Sequence, residues 1–203
     1  MSLNADKTLI LASQSEARAR VLVAAGIVIE AVPARIDEDG VTAALDAEGV
    51  PPRDVADQLA EMKARRGAQR FPEALVLGSD QVLVCGDETF AKPKSLPDAR
   101  AQLQRLRGRR HSLVSAAVVF EAGRPVWRAV GEARLTMRDF SDDFLEGYLA
   151  AEGPGILDCA GCYRIEGRGA QLFTHVEGDY FSILGLPLLP LLAFLRTRGF
   201  CAT

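Results

Sequence analysis

The apolar positions of this sequence fall into short continuous runs and into helical repeats, and the two patterns alternate from end to end. Apolar runs at residues 8–12 and 74–84 predict buried strands. Apolar residues at helical spacing over 52–70 predict an amphipathic helix. Because strands and helices are mixed along the whole length, the pattern predicts an α/β fold in which helices flank a mixed, twisted sheet.

The other segments complete this prediction. Further strands are predicted at 27–34, 112–120 and 126–137, and further helices at 17–26, 97–107, 141–151 and 186–198. The last two strands form a hairpin about Gly123, and residues 36–40 form an acidic loop. No internal repeat or long linker interrupts the pattern, so a single domain over residues 1–203 is predicted.

The apolar run at 74–84 is divided at its centre by the polar sequence Gly78-Ser-Asp-Gln81. A carboxylate between such runs is costly to desolvate unless a metal or a cation compensates its charge. We therefore interpret Asp80 as a functional carboxylate and expect the strand to be interrupted where it faces a ligand. A phosphatase that forms an aspartyl phosphate would need a second Asp two positions later, where the chain has Val82.

A second candidate site is the hydroxyl-rich segment Ser13-Gln-Ser15, which opens the predicted helix at 17–26. The free N–H groups and the dipole of a helix N-terminus favour a phosphate, and Arg18 adds a guanidinium. An alternative stays open, because Ser15 is also an ordinary helix cap and Arg18 is also consistent with a surface residue.

Further charged candidates come from separate segments: Lys63 on the predicted helix 52–70, Lys92 in a loop, and Glu38 in the acidic loop. Hydrolysis of a triphosphate requires carboxylates that hold a metal and orient water, and cations that offset the phosphate charge. An exposed, purely solvated Lys63 is an equally open interpretation. No GxxxxGK[ST] loop is present, and no GxGxxG follows a strand, which excludes P-loop and Rossmann sites.

The charge balance and the apolar segments exclude other classes. Lys and Arg total 24 against 27 Asp and Glu, and a net charge of −3 gives no general field for nucleic acid. The one basic run, at 105–110, is interpreted as a helix end. The most apolar segment, 183–195, is too short for a membrane span, and residues 1–7 contain no signal-peptide core. We expect a cytoplasmic protein without a membrane or nucleic-acid partner.

The chain contains four cysteines, and a protein with a sizeable core does not need disulfides, so reduced thiols are expected. Cys159 and Cys162 form a CxxC pair, which is typical of a redox couple or of half a zinc site. No second CxxC follows, and His111 and His175 lack metal-ligand spacing. We interpret the pair as two small residues in a packed turn.

Glycines at 161–169 precede the acidic sequence 175–180. Glycines permit close approach of the backbone to a ligand, and the acidic residues could support a metal. A structural turn that packs Tyr180 is an equally good interpretation, and both stay open.

Several motifs, in order and spread over nearly the whole chain, resemble the Maf family of nucleotide pyrophosphatases. The motifs are Leu9-Ile-Leu-Ala-Ser-Gln-Ser15 with Arg18, Ile36-Asp-Glu38, Gly78-Ser-Asp-Gln81, Ala91-Lys-Pro93, Leu106-Arg-Gly-Arg109 with His111, Cys159-Ala-Gly161, Ile165-Glu-Gly167, and Val176-Glu-Gly-Asp-Tyr180 through Gly185-Leu-Pro187.

The resemblance implies a Maf or ITPase-like fold of two lobes with a central cleft. It implies a nucleoside triphosphate substrate cleaved at the α phosphate to release pyrophosphate, a divalent metal (Mg or Mn), and a homodimer. In the resemblance, Asp80 matches the family's proton acceptor, and Glu38 matches an acidic residue that joins Asp80 at the metal. The resemblance further implies that the phosphate contacts are Ser13, Arg18, Lys63 and Lys92.

Three positions that are associated with the base differ between branches of the family: Ala17, Gln81 and Glu166. Gln81 and Glu166 resemble the branch that acts on 7-methyl-GTP. Ala17 departs from both branches, which carry a bulky Trp or an Arg there, so a wider pocket with a shifted base preference is the hypothesis that follows.

The competing hypothesis is a nucleotide-binding regulator of cell division or septum formation that keeps the pocket without turnover. The joint presence of Asp80, Glu38 and Lys92 favours catalysis over binding alone.

Overall fold

A computed structural model describes residues 7–202 of the chain. The first six residues, part of the segment from which the absence of a signal peptide is predicted, lie outside this range. The chain divides into two compact units. Unit 1 comprises the described part of residues 1–81, 114–131 and 179–203, and unit 2 comprises residues 82–113 and 132–178. The prediction of one domain over the whole chain stays a prediction.

Residues 7–202 contain seven strands and seven α-helices, mixed along the chain. In chain order they are β1 (Leu9–Leu11), α1 (Glu16–Ala24), β2 (Ile29–Ala31), α2 (Glu38–Ala47), α3 (Pro52–Arg70), β3 (Val76–Cys85), β4 (Glu88–Phe90), α4 (Leu96–Leu106), β5 (Arg110–Glu121), β6 (Arg124–Met137), α5 (Asp142–Glu152), β7 (Phe173–Gly178), α6 (Tyr180–Ile183) and α7 (Leu188–Thr197). Short 3₁₀ turns occupy Gly153–Ile156 and Arg168–Leu172.

The strands form one mixed sheet in the order β2-β1-β3-β5-β6-β7, with β4 paired to β3. β1 runs parallel to β2 and to β3, whereas β4 pairs with β3, and β7 with β6, in antiparallel fashion. β3, β5 and β6 are long enough to contribute residues to both units. The predicted α/β class with a mixed sheet and flanking helices is confirmed.

The core of unit 1 forms where α1 and α7 pack against the sheet. Its buried members are aliphatic, and they are Leu9, Leu11, Val21, Leu22, Ile27, Leu75, Leu77, Ala117, Val119, Leu186, Leu188, Leu191 and Leu195. Burial of each large aliphatic side chain contributes about 1.5–3 kcal/mol, so these contacts hold β1 and β3 side by side. The residues that follow β1 and those at the middle of β3 are therefore anchored to one scaffold.

A glycine lets α3 approach β3 more closely than any other residue would. A Cβ atom at Gly78 would overlap the Ala60 carbonyl oxygen and the Ala64 nitrogen of α3. Gly67 makes a similar contact further along the helix, since its Cβ would lie 2.7 Å from Val76 Cγ1. Asp80, two residues further along on the same face of the strand, is thereby held against Lys63 of the helix.

The buried part of unit 2 contains a histidine and two aromatic rings. His111 is 2% exposed and its Nε2 lies 2.8 Å from the Tyr163 hydroxyl. Its ring centroid is 5.7 Å from that of Tyr163 and 5.9 Å from that of Phe173. Within residues 7–202 no hydrogen-bond partner reaches His111 Nδ1. Burial lowers the pKa of His111 from 6.5 to about 4, so the imidazole is neutral at pH 7.

Two local predictions are wrong. Residues 36–40 do not form an acidic loop, because Asp37 caps α2 by accepting from the Gly40 N–H at 3.1 Å, and Glu38 begins the helix. Acidic side chains there suit the positive end of the helix dipole. β3 is continuous through Asp80 and is not interrupted, since its ladder with neighbouring strands satisfies the backbone.

Four elements were missed. α2, α6, β4 and β7 are short or carry mostly exposed residues, so they leave no strong apolar period in the sequence. β7 includes most of the acidic sequence that was considered for a metal or a turn. None of the helices described for residues 7–202 combines the length and the apolarity that a membrane span needs.

Gly78→Ala should lower the free energy of unfolding by about 1–3 kcal/mol, because the added methyl group forces α3 away from β3. Urea denaturation followed by circular dichroism measures this. Gly147→Ala is the matched control, since Gly147 lies in α5 with open space around it and should be neutral or slightly stabilising. Equal stability of Gly78→Ala and wild type would contradict the close packing.

The protein should lose stability as the pH falls from about 6.5 to about 4, because the unfolded chain binds a proton at His111 in this range and the folded chain does not. The loss from this group is on the order of 2–3 kcal/mol. His111→Phe should remove that part of the pH dependence, measured by thermal unfolding across the range, whereas His175→Gln at an exposed position should keep it. The same slope in wild type and His111→Phe would exclude His111 as the source.

Candidate active site

Two carboxylates and one lysine meet in unit 1. Lys63 Nζ lies 2.6 Å from Asp80 Oδ1 and 2.9 Å from Glu38 Oε1. The side chains of Lys63 and Asp80 are 6% and 8% exposed, whereas that of Glu38 is 45% exposed. We call Asp80, Lys63 and Glu38 the charged triad. It places one buried ion pair beside a carboxylate that reaches solvent.

Lys63 belongs to the buried side of α3, which otherwise carries small or aliphatic residues. This side faces β3 at Gly78, so a lysine in it projects toward the polar centre of that strand. Glu38 comes from the first turn of α2. A lysine in the apolar stripe of an otherwise regular amphipathic helix is a signal that the sequence already contained.

A buried ion pair rarely adds stability, because desolvation of both charges offsets their attraction. Removal of one partner, in contrast, leaves an uncompensated charge in the interior. The charged triad is therefore better explained by chemistry than by stability, which agrees with the functional interpretation of Asp80.

Arg18 lies near the charged triad and is itself buried. Burial lowers the pKa of the Arg18 guanidinium, and the negative charges of Asp80 and Glu38 act in the opposite direction. Arg18 Nη1 donates to Ser13 Oγ at 3.2 Å, and the same oxygen accepts from the Ser15 N–H at 3.2 Å. The interpretation of Arg18 as a surface residue is wrong, because the fold places it against the interior.

The segment that follows β7 supplies backbone carbonyls to this region of unit 1. The Gly185 carbonyl accepts from Arg18 Nε at 2.8 Å and from Ser79 Oγ at 2.9 Å. Gly185 has φ 90°, and a Cβ there would lie 3.1 Å from Arg18 Nε, so glycine is required. Sequence reasoning did not assign a role to Ser79 or Gly185, since backbone carbonyls leave no residue-type signal.

The remaining predicted residues lie in different places. Ala17 is half-buried on α1 in unit 1. Lys92 and Glu166 belong to unit 2, where both are exposed. The structure thus brings together Ser13, Arg18, Glu38, Lys63 and Asp80 within unit 1.

The Maf-like protein family matches residues 8–198 of the chain. The chain belongs to the Maf family. It is 50% identical over 194 residues to "Nucleoside triphosphate pyrophosphatase 1" of Jannaschia sp. (strain CCS1), covering 96% of this chain and 98% of that protein. It is 52% identical over 188 residues to a "Nucleoside triphosphate pyrophosphatase" of Granulibacter bethesdensis, covering 93% and 95%. A third, from Roseobacter denitrificans, is 51% identical over 191 residues, covering 94% and 96%.

In this Maf protein the side chain of Gln81 is fixed by backbone carbonyls. Gln81 Nε2 lies 2.9 Å from the Ser182 carbonyl, 3.1 Å from the Ile183 carbonyl and 2.9 Å from Ser115 Oγ. Two carbonyl acceptors fix which end of the amide is nitrogen. The amide oxygen takes no part in these three contacts.

The Maf site offers part of the donor set that a divalent metal requires. Among residues 7–202, no group of three His, Cys, Asp or Glu side chains is arranged to hold a metal ion. The carboxylates of Asp80 and Glu38 nevertheless lie close together, because both contact the Lys63 ammonium group. Mg²⁺ is commonly held by one or two carboxylates together with substrate phosphates and water. The two carboxylates fit that kind of site, and they do not form a complete protein cage.

Lys63→Met should lower the free energy of unfolding by about 3–5 kcal/mol, because Asp80 is left buried without its partner. The double variant Lys63→Met/Asp80→Asn should recover much of this loss, since the uncompensated charge is gone. Chemical denaturation of the wild type, both single variants and the double variant forms the cycle. Arg66→Met, an exposed change on the same helix, should stay within about 0.5 kcal/mol of wild type. Additive effects in the cycle would show that the pair is not coupled.

Proposed function

We propose that this protein is a nucleoside triphosphate pyrophosphatase, which hydrolyses its substrate to a nucleoside monophosphate and pyrophosphate. The observation that carries the proposal is the charged triad, a buried Asp80–Lys63 pair with Glu38 alongside. The relatives that the chain matches over nearly their whole length are named for this activity. Triphosphate hydrolysis requires a carboxylate that orients the water and cations that offset the phosphate charge.

In the proposed reaction a water oxygen bonds to the α phosphorus while the bond from that phosphorus to the bridging oxygen of pyrophosphate breaks. Asp80 orients the water and accepts its proton. Lys63, which contacts a single oxygen of Asp80, holds that carboxylate in place. The guanidinium of Arg18 and the ammonium of Lys92 offset charge on the departing pyrophosphate. Ser13 lies on the loop that positions the phosphates and orients Arg18.

The activity is proposed to need a divalent cation, Mg²⁺ or Mn²⁺, held by Asp80 and Glu38. A bound cation of this kind supplies Lewis acidity at phosphate oxygens and neutralises part of their charge. Lys63 lies against both carboxylates, so it compensates their charge whether or not a cation is bound.

We further propose a modified guanine nucleotide of the 7-methyl-GTP type as a preferred substrate. Gln81 offers an acceptor through its amide oxygen, which suits a base that presents N–H donors. Ala17 and Glu166 are proposed as further determinants of the base preference on the strength of the family resemblance alone. A homodimer and a cytoplasmic location stay predictions.

Purified protein should release pyrophosphate from nucleoside triphosphates in the presence of Mg²⁺ or Mn²⁺, and Asp80→Asn should reduce kcat by about 10²-fold or more. A coupled pyrophosphate assay on standard and 7-methylated nucleotides measures both the reaction and the base preference. Asp46→Asn, an equal change of charge at an exposed position of α2, should retain wild-type turnover.

Nucleotide binding without turnover in any metal would reject the enzyme and support the alternative of a nucleotide-binding regulator. Turnover with 7-methyl-GTP no better than the standard nucleotides would reject only the base preference.

A further inference from the structure

The CxxC sequence forms a tight turn in unit 2 that brings its two cysteines together. The Cys162 N–H donates to the Cys159 carbonyl at 3.1 Å, which closes a four-residue turn from Cys159 to Cys162. Gly161, at its third position, has φ 80°, as a type II turn requires. The ends of such a turn lie less than about 7 Å apart, and disulfides span Cα separations of about 4.4–6.8 Å. The Cα spacing of the turn therefore lies within the range that a disulfide spans.

The two thiols have different surroundings. Cys159 is partly exposed, and the Arg164 side chain hydrogen-bonds it. Cys162 is buried. Burial raises the pKa of both thiols, to about 12 for Cys162, and the Arg164 guanidinium opposes the rise at Cys159. Cys159 is accordingly the thiol that an external reagent reaches, and Cys162 is the one that resolves.

A chain of hydrogen bonds leads from Cys162 to the loop that carries Lys92. Cys162 Sγ donates to Gln102 Oε1 at 3.4 Å, and Gln102 Nε2 donates to the Ala91 carbonyl at 2.7 Å. Gln102 lies on α4, and Ala91 immediately precedes Lys92. The Cys162 thiol thus helps to orient the side-chain amide of Gln102, and this amide in turn holds the backbone of Ala91 next to Lys92.

We propose that Cys159 and Cys162 form a reversible disulfide that loosens the Lys92 loop and weakens triphosphate binding. The part concerning binding rests on the proposed function of Lys92, and the disulfide itself does not. The structural interpretation of the CxxC pair as a packed turn is kept, and a modification site is added to it.

The oxidation is a thiol–disulfide exchange with a small-molecule disulfide such as oxidised glutathione. The Cys159 thiolate attacks one sulfur of the reagent, forming a mixed disulfide and releasing one thiol. Cys162 loses its proton and attacks the Cys159 sulfur, which releases the second thiol. Two cysteine thiols are oxidised and one reagent disulfide is reduced to two thiols. The product has no S–H at Cys162, so the hydrogen bond to Gln102 is lost.

The test uses the full chain with Cys201→Ser, which removes a second partly exposed thiol. The protein is equilibrated in a series of glutathione redox buffers, and peptide mass spectrometry maps the disulfide without any nucleotide. We expect a Cys159–Cys162 bond that a reducing thiol reverses, and none in Cys159→Ser. Absence of this bond throughout the series, or a mixed disulfide that never resolves, would overturn the proposal whatever the activity.

A second measurement distinguishes the effect on the Lys92 loop from the formation of the disulfide. In the oxidised protein KM for the triphosphate should rise about fivefold, the effect of losing one ordinary hydrogen bond, with less change in kcat. Gln102→Ala should show the raised KM in its reduced form, still form the disulfide, and show no further rise on oxidation. Gln104→Ala, an exposed change on the same helix, should behave as wild type.

A disulfide that forms while KM stays unchanged would overturn the link to the loop. Absence of any turnover would contradict the proposed function. Nucleotide affinity, measured by calorimetry in both redox states, would then test whether the disulfide weakens binding through the Lys92 loop.

Discussion

The buried contact between Lys63 and Asp80 is the constraint on which the arrangement of unit 1 depends. An ammonium and a carboxylate are removed from water together, and neither is tolerated there alone. The contact exists because Gly78 lets α3 lie directly on β3. A stripe of small residues on the helix and a glycine on the strand therefore do more than fill space, since they set the distance between two charges.

The polar contacts around this pair are local in space and distant in sequence. The Gly185 carbonyl accepts from both Arg18 and Ser79, so a loop near the C-terminal end fixes a guanidinium from the first helix. Gln81, one residue after Asp80, lies against the Ser182 and Ile183 carbonyls of α6, the short helix that precedes this loop. The site is thus supported by the backbone carbonyls of a segment near the C-terminal end rather than by its side chains.

Much of this arrangement could be predicted from the sequence, and the exceptions have physical reasons. α3 and the strands around Asp80 were predictable because apolar residues recur strongly there. α2 was not, because none of its residues is buried and its helix cap, Asp37, also reads as part of an acidic loop. The individual charges of the triad were predictable from residue type. Their convergence was implied by the family resemblance and not by the residue types, because it depends on a helix lying across a strand at one glycine.

The central claim is that water attacks the α phosphorus and that pyrophosphate departs intact. Turnover in isotopically labelled water, with mass spectrometry of both products, tests it directly. We predict one labelled oxygen in the nucleoside monophosphate and none in the pyrophosphate. Label in pyrophosphate, or release of single phosphates with a nucleoside diphosphate, would contradict it.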